Sequence, residues 1–212
     1  MKREETQQTP IVIPEPVYWF PLTTNANDVM GNFPGWSYTG GVTYSDSGAY
    51  FNRSAQIYNY NLNIVNSNFQ TFSFKVMITS VYSSGIYTMY NLDIGNANTG
   101  VGALIAPDWG GNFVSNPYYN GSYDTGLSQP QFPWVANQYF TFTYRQDFSS
   151  KMELFVDGVL KGTANISIPS TVVMKRLSLG THPNNSSRKF LGYIKDFKAW
   201  NIILTDEQIA AL

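Results

Sequence analysis

The chain has no cysteine among its 212 residues. Disulfides, thiolate-bound metals and a cysteine nucleophile are therefore excluded, and cysteine usage says nothing about redox compartment. Charge is scarce too: 13% of residues are charged, and the formal net charge is -1. Nucleic acid normally demands clustered Lys and Arg, and no basic stripe is present, so it is not an expected partner. No apolar run approaches the ~20 residues of a membrane span, which argues against insertion. Residues Met1 to Pro10 carry charge with no apolar stretch behind it, so they do not read as a secretory signal peptide. Two expectations stay open: a chain that starts at Met1 and is released by other means, as a phage virion component is at lysis, or a trimmed one. Either way the expected location is extracellular or on a virion surface.

Histidine occurs once, as His182, in a loop-like stretch rich in Asn and Ser. It reads as loop decoration, which removes histidine-assisted serine catalysis. Glutamate is nearly as rare, with only Glu153 and Glu207 beyond residue 16. A retaining glycosidase needs two carboxyl groups roughly 5–5.5 Å apart across the sugar bond. Here Glu153 stands alone in a strand pattern, and Glu207 falls in the first turn of a short helix, where it favours the dipole. The aspartates sit in turns that explain them, and no glycine run cradles a phosphate. The expectation is a chain that binds and does not catalyse.

What the chain does hold is aromatic residues and period-two alternation. Aromatics make up 16% of it, including 15 tyrosines. Tyr and Trp offer a flat apolar face with a polar tip, and they also suit the interior of sheets. Residues 1–16 read as a flexible arm, with Pro10, Pro14 and Pro16 unable to donate to a ladder. Such an arm is a disordered tail or a docking segment for a capsid, a fibre or a neighbouring subunit. Residues 17–212 read as one domain, since β-sandwiches commonly run to about 200–250 residues.

Within that domain the spacing predicts strands over Val17–Leu22, Phe69–Ile78, Ile86–Ile94, Thr99–Ala106, Tyr139–Tyr144, Met152–Val156, Leu177–Leu179 and Gly192–Trp200. Phe72, Phe74, Val76 and Ile78 fall on one face at period two. Ser45-Asp46-Ser47-Gly48 and Asp157-Gly158 read as hairpin turns. Thr205 with Gln208 three residues on is a capping-box pattern, predicting a helix over Asp206–Leu212. Pro107 to Pro133, holding Gly110-Gly111, Asn120-Gly121 and Pro117, reads as one long irregular loop or a loop with a small hairpin. That segment is the candidate binding surface. Asp108, Trp109, Asn112, Asn116, Tyr118, Tyr119 and Tyr123 interleave rings, which stack on sugar C–H faces, with side chains that bond hydroxyls. The same rings also suit an oligomer contact or local packing.

Several ordered pieces carry a family resemblance: Asp28 to Asn32, Gly48-Ala49-Tyr50-Phe51, Phe72 to Val76, Trp134 to Ala136, Leu154-Phe155-Val156-Asp157-Gly158, and Gly192-Tyr-Ile-Lys-Asp-Phe-Lys-Ala-Trp200. Together they resemble a laminin G-like or pentraxin-like domain of the concanavalin A-like lectin and glucanase group. The resemblance implies an all-β, antiparallel β-sandwich jelly roll with a short C-terminal helix. It also implies a carbohydrate-binding or adhesive surface with a glycan or glycosylated surface as partner. A structural virion decoration anchored through residues 1–16 is the rival, and a glycoside hydrolase the remote third. Relatives often hold a structural calcium between the early loop and an acidic pair in the last strand. Here that pair is Lys195-Asp196, so Asp28 and Asp196 are weak candidate ligands and no cofactor is expected.

Overall fold

A computed structural model describes residues 10–95, 99–106, 111–129, 132–148, 151–166, 168–182 and 187–212. Two antiparallel sheets face each other. The first runs β14 (Val159–Ala164), β13 (Met152–Val156), β12 (Tyr139–Gln146), β7 (Thr71–Ile78), β17 (Leu191–Trp200), β4 (Gly48–Asn52) and β3 (Thr43–Ser45), with β1 (Tyr18–Phe20) also on β17. The second runs β11 (Ser122–Tyr123), β10 (Gly111–Tyr119), β9 (Gly100–Ala106), β8 (Tyr87–Asp93), β16 (Arg176–Leu179), β5 (Gln56–Asn59) and β2 (Ser37–Thr39). A two-residue pair, β6 (Ile64–Val65) and β15 (Val173–Met174), lies apart. Among the described residues one α-helix, α1 (Asp206–Ala210), follows β17. This is the jelly-roll sandwich expected from the alternation. Among the described residues no helix is long and apolar enough to cross a membrane.

The core forms because alternate residues of both sheets point inward and meet as rings. Phe72 and Tyr144 stack at 4.9 Å within the first sheet, and Tyr90 of β8 comes edge-on to Phe74 at 5.0 Å. Phe113 of β10 stacks on Phe142 of β12 at 4.9 Å, joining the sheets at the far end. Each such ring contributes roughly 1.5–3 kcal/mol by leaving water. Gly180 shows how tight the packing is. Its φ is +77°, and an added Cβ would fall 2.1 Å from Phe51 Cδ1.

The hairpin turns follow their sequences. Asp157-Gly158 and Asn120-Gly121 hold left-handed φ values of 48° and 75°, and of 50° and 79°, as a two-residue I′ turn requires. The capping box forms as read: Thr205 Oγ1 accepts from Gln208 N–H, and Gln208 Oε1 accepts from Thr205 N–H. The helix is shorter than the sequence suggested, ending at Ala210.

Two readings need correcting. The segment from Pro107 to Pro133 does hold a small hairpin, β10–β11 at Asn120-Gly121, but it is not otherwise an irregular loop: β10 is nine residues long and pairs with β9 from Gly111↔Ala106 to Tyr118↔Gly100. Its Pro117 misled because proline cannot donate to a central ladder. Here β10 lies near the sheet edge, with β11 reaching only Tyr118 and Tyr119. Of the expected arm, residues 1–9 lie outside the described residues, but Val12 and Pro14 are bonded to the domain. The Trp200 indole N–H donates to Pro14 O at 2.8 Å and the Gln208 amide to Val12 O at 2.8 Å. Ile13 packs on Phe155, Trp200, Leu204 and Ile209, so this stretch helps cover the outer side of the first sheet.

Candidate functional site on the outer face of the second sheet

Strand register builds the site. Tyr118 lies opposite Gly100, Gly100 opposite Asp93, and Asp93 opposite Arg176. The adjacent row runs position 116, Gly102, Asn91, Ser178, Tyr58 and Ser37. Residues directly opposite in a ladder share a face, and Leu92, Val101 and Leu177 of the intervening row point into the core. The outer face therefore carries a two-row polar floor.

Glycine shapes that floor. A Cβ on Gly100 would meet Leu92 O at 2.5 Å and the Tyr118 hydroxyl at 2.8 Å, while one on Gly102 would lie 3.1 Å from Asn91 Oδ1. The two bare backbone positions thus let the Tyr118 hydroxyl, the Asp93 side chain and the Asn91 amide pack close against the sheet. Beyond them Tyr58 and Tyr60 pair at 4.4 Å between ring centroids.

Electrostatics fix the floor in place. Asp93, 1% exposed, accepts from Arg176 Nε at 2.7 Å and Nη2 at 3.0 Å, from Gly95 N–H at 2.7 Å, and from the Asn91 amide. A buried carboxylate with four donors satisfies the demand that buried charge be paired and hydrogen-bonded. Ser178 donates to Thr181 O at 3.0 Å. Burial raises the Tyr60 phenol above its ordinary value, an effect that Tyr58 and Asp93 strengthen and Arg176 opposes. His182 was expected to decorate a loop. It is half-buried instead, and desolvation with Arg188 pulls its imidazole below the ordinary value against the pull of Asp93. It is neutral at pH 7.

The seven residues singled out by sequence divide as follows. Asp108 and Trp109 lie outside the described residues, as do the side chains of Asn112, Asn116 and Tyr123. In register, Tyr118 pairs with Tyr123. Tyr119 pairs with Ser122 and belongs to the opposite parity. Sequence reasoning missed Asn91, Asp93, Ser178, Tyr58 and Tyr60. A signal for the first two was available: Asn91 and Asp93 alternate with Tyr90 and Leu92, opposite Gly100 and Gly102.

The carboxylates are otherwise engaged. Burial alone would raise the Glu153 carboxyl, but bonds from Lys151 at 2.9 Å and Arg145 at 2.8 Å hold it below its ordinary value. That is the wrong direction for a general acid. Asp28 accepts N–H bonds from Trp19, Met30, Asn32 and Phe33 at 2.8–3.1 Å, which folds the early loop around it. Asp196 faces Lys75 at 3.9 Å. A calcium ion wants several free oxygens, and this donor set does not fit one. An open cleft of about 620 Å³ lies elsewhere, against Phe132, Phe140, Val156 and Val159. Its Gln129 amide is bonded to Lys161 O and its Asp157 carboxylate to Thr141 N–H. With those two groups engaged and its walls aromatic and aliphatic, it offers a polyol few polar contacts.

A family model described as the concanavalin A-like lectin/glucanases superfamily matches residues 46–210. No curated protein matches the chain. Among solved structures, domain 4 of AbnA, an extracellular arabinanase from Geobacillus stearothermophilus, in complex with arabinotriose, superimposes with a TM-score of 0.70 at 16% identity. That match covers 93% of this chain and 97% of that one. The botulinum neurotoxin serotype D binding domain gives 0.72 at 21% identity, covering 93% and 51%. The serotype D ligand-binding domain in complex with N-acetylneuraminic acid gives 0.66 at 19%, covering 93% and 50%. This chain therefore spans about half the length of the toxin domains. At these identities the likeness is one of fold.

Proposed function

This chain belongs to the concanavalin A-like lectin/glucanase superfamily, and from that premise we propose that it is a non-enzymatic carbohydrate-binding module. It acts outside the cell or displayed on a particle, and it takes its glycan on the outer face of the second sheet. One observation carries the reading: half-buried Tyr118, Tyr58 and Tyr60 stand on this face above a fixed polar layer of Asn91, Asp93 and Ser178, with the Tyr118 hydroxyl packed over Gly100. A pyranose presents an apolar C–H face and a rim of hydroxyls. The rings of Tyr118, Tyr58 and Tyr60 suit the first, while their hydroxyls and exposed Ser37, opposite Tyr58, suit the second. Arabinotriose and N-acetylneuraminic acid complexes of structural neighbours support glycan as the ligand class without naming the sugar.

Hydrolysis is disfavoured because Glu153 is held ionised by two cations, and the remaining described carboxylates serve turns or ion pairs. The rival role, a particle decoration docked by residues 1–16, loses part of its docking segment to the domain's own Trp200 and Gln208. A glycan array with the intact chain tests the reading. Binding to at least one neutral glycan, lost in Tyr118→Ala and in Tyr58→Ala, is expected. An array that stays blank, or a hit that survives both substitutions, refutes it.

A further inference from the structure

The opposite side of the molecule breaks a rule of sheet design. On the outer face of the first sheet, Lys75 of β7 lies directly opposite Lys195 of β17. Like charges facing across a ladder destabilise it. Asp196 relieves Lys75 only from 3.9 Å, both groups being about 30% exposed. The Lys195 ammonium instead turns over the Tyr139 ring at 4.3 Å and donates to Asp46 O at 3.4 Å. A third cation, Lys198, stands over the Trp19 ring at 4.8 Å. Asp196 itself sits in a bulge, with φ of 52°, where β17 gains a residue on β7 between Lys195 and Lys198. Bulges in mid-sheet commonly re-aim side chains beside functional surfaces.

Next to the lysines runs a row of rings. Tyr139, Met77, Tyr193, Tyr50 and Thr43 are successive partners on β12, β7, β17, β4 and β3. At ~4.8 Å between strands the row spans roughly 19 Å. Tyr50 and Tyr193 lie 4.9 Å apart, and every member but exposed Thr43 is half-buried. The row of Thr141, Lys75 and Lys195 lies alongside it, two residues or ~6.6 Å further along the strands. Aromatic and basic rows therefore run parallel, each perpendicular to the strands.

We propose that this face is a second binding surface, for an acidic polysaccharide with carboxylates on successive sugar rings. Rings of the polymer lie along the tyrosine row and their carboxylates meet Lys75 and Lys195. Charge complementarity selects the occupant. Two lysines set opposite each other in the ladder gain a shared counter-charge from an anion, and a neutral glycan gives them nothing. A nucleic acid is the weaker fit, since the face offers three lysines within a chain of net charge -1. The proposal stands apart from the second-sheet site and shares no residue with it.

The test is affinity electrophoresis of the intact chain with polygalacturonate, neutral dextran, dextran sulfate and an oligothymidylate, at low and high salt. Retardation by polygalacturonate alone, weakening with salt, is expected. Lys195→Asp and Lys75→Thr are each expected to lower affinity about tenfold or more. Their thermal midpoints should be unchanged or raised, because the like-charge contact is gone. Tyr193→Thr should weaken binding, and Tyr118→Ala, on the other sheet, should leave it intact. Equal retardation by dextran, equal or stronger retardation by dextran sulfate or the oligonucleotide, or binding that survives both lysine substitutions overturns the proposal. Circular dichroism confirms folding of each variant, and Lys75→Thr carries the test if Lys195→Asp does not fold.

Discussion

Removing Arg176 is the sharpest probe of how the second-sheet floor is held. In Arg176→Met the guanidinium's two bonds to Asp93 vanish, and the carboxylate, 1% exposed, keeps only the Asn91 amide and the Gly95 N–H. An uncompensated buried charge of this kind costs about 3–5 kcal/mol. For a domain of this size each kcal/mol moves the midpoint by about 2–4 °C, so a fall of roughly 6–20 °C is expected. Asp93→Asn combined with Arg176→Met replaces the ion pair by a neutral amide and an apolar side chain. It is expected to recover most of the loss, giving a coupling energy of about 2 kcal/mol or more in the double-mutant cycle. Urea unfolding followed by tryptophan fluorescence supplies all four stabilities. If Arg176→Met stays within about 1 kcal/mol of the parent, or the double variant is as unstable as the single, Asp93 is not the buried, paired carboxylate described here.

Three further outcomes are expected. Gly180→Ala combines a positive φ with a Cβ 2.1 Å from Phe51, so it should cost more than about 2 kcal/mol; a neutral effect in thermal melts would contradict the packing. Thr205→Ala removes half of the capping box and should cost about 1 kcal/mol, read by urea midpoint, with a loss under a few tenths counting against the cap. Glu153 has a folded-state carboxyl held below its unfolded value, so its contribution is present above the ordinary carboxylate range and lost as pH falls through the lower folded value. Glu153→Gln should therefore flatten the acid side of the stability profile between pH 7 and pH ~3, and parallel curves would show that the Arg145 and Lys151 bonds are not worth having.

Most of the sandwich was legible because one-sided burial imposes period two, and the chain keeps to it. Phe72 to Ile78, the Asp157-Gly158 turn and the Thr205 cap each carry their instruction within a few residues. Strands β2 and β5 escaped notice. Ser37–Thr39 is exposed throughout and Gln56–Asn59 buries only Ile57, so neither shows an apolar stripe. Strand β10 escaped for the opposite reason: Pro117 and Gly111 advertise a loop, and only its place near the sheet edge makes them harmless. The candidate site was half legible. Its aromatic half lies in one segment rich in Tyr and Asn. Its floor is assembled from β8, β9, β16 and β5, strands separated by up to about 120 residues, and no local pattern joins Asn91 to Ser178.

Both candidate surfaces lie where the chain departs from simple alternation of apolar core and neutral surface. On the second sheet the departure is burial of Asn91, Asp93 and Ser178 on a face that points away from the core. On the first it is two lysines set opposite each other. A sandwich selected only for stability has no use for either, since a threonine at 75 or an aspartate at 195 removes the repulsion. The two departures also differ in kind, a buried hydrogen-bonded layer beneath tyrosines on one side and facing lysines on the other, which suits them to different ligands. They are separated by the ~10 Å thickness of the packed sheets and share no side chain. Occupying one is therefore expected to leave the other's affinity unchanged. Titrating polygalacturonate into the chain with and without a saturating neutral glycan checks this, and a shift in its midpoint of about threefold or more, near 0.6 kcal/mol, would mean that the faces are coupled through the core.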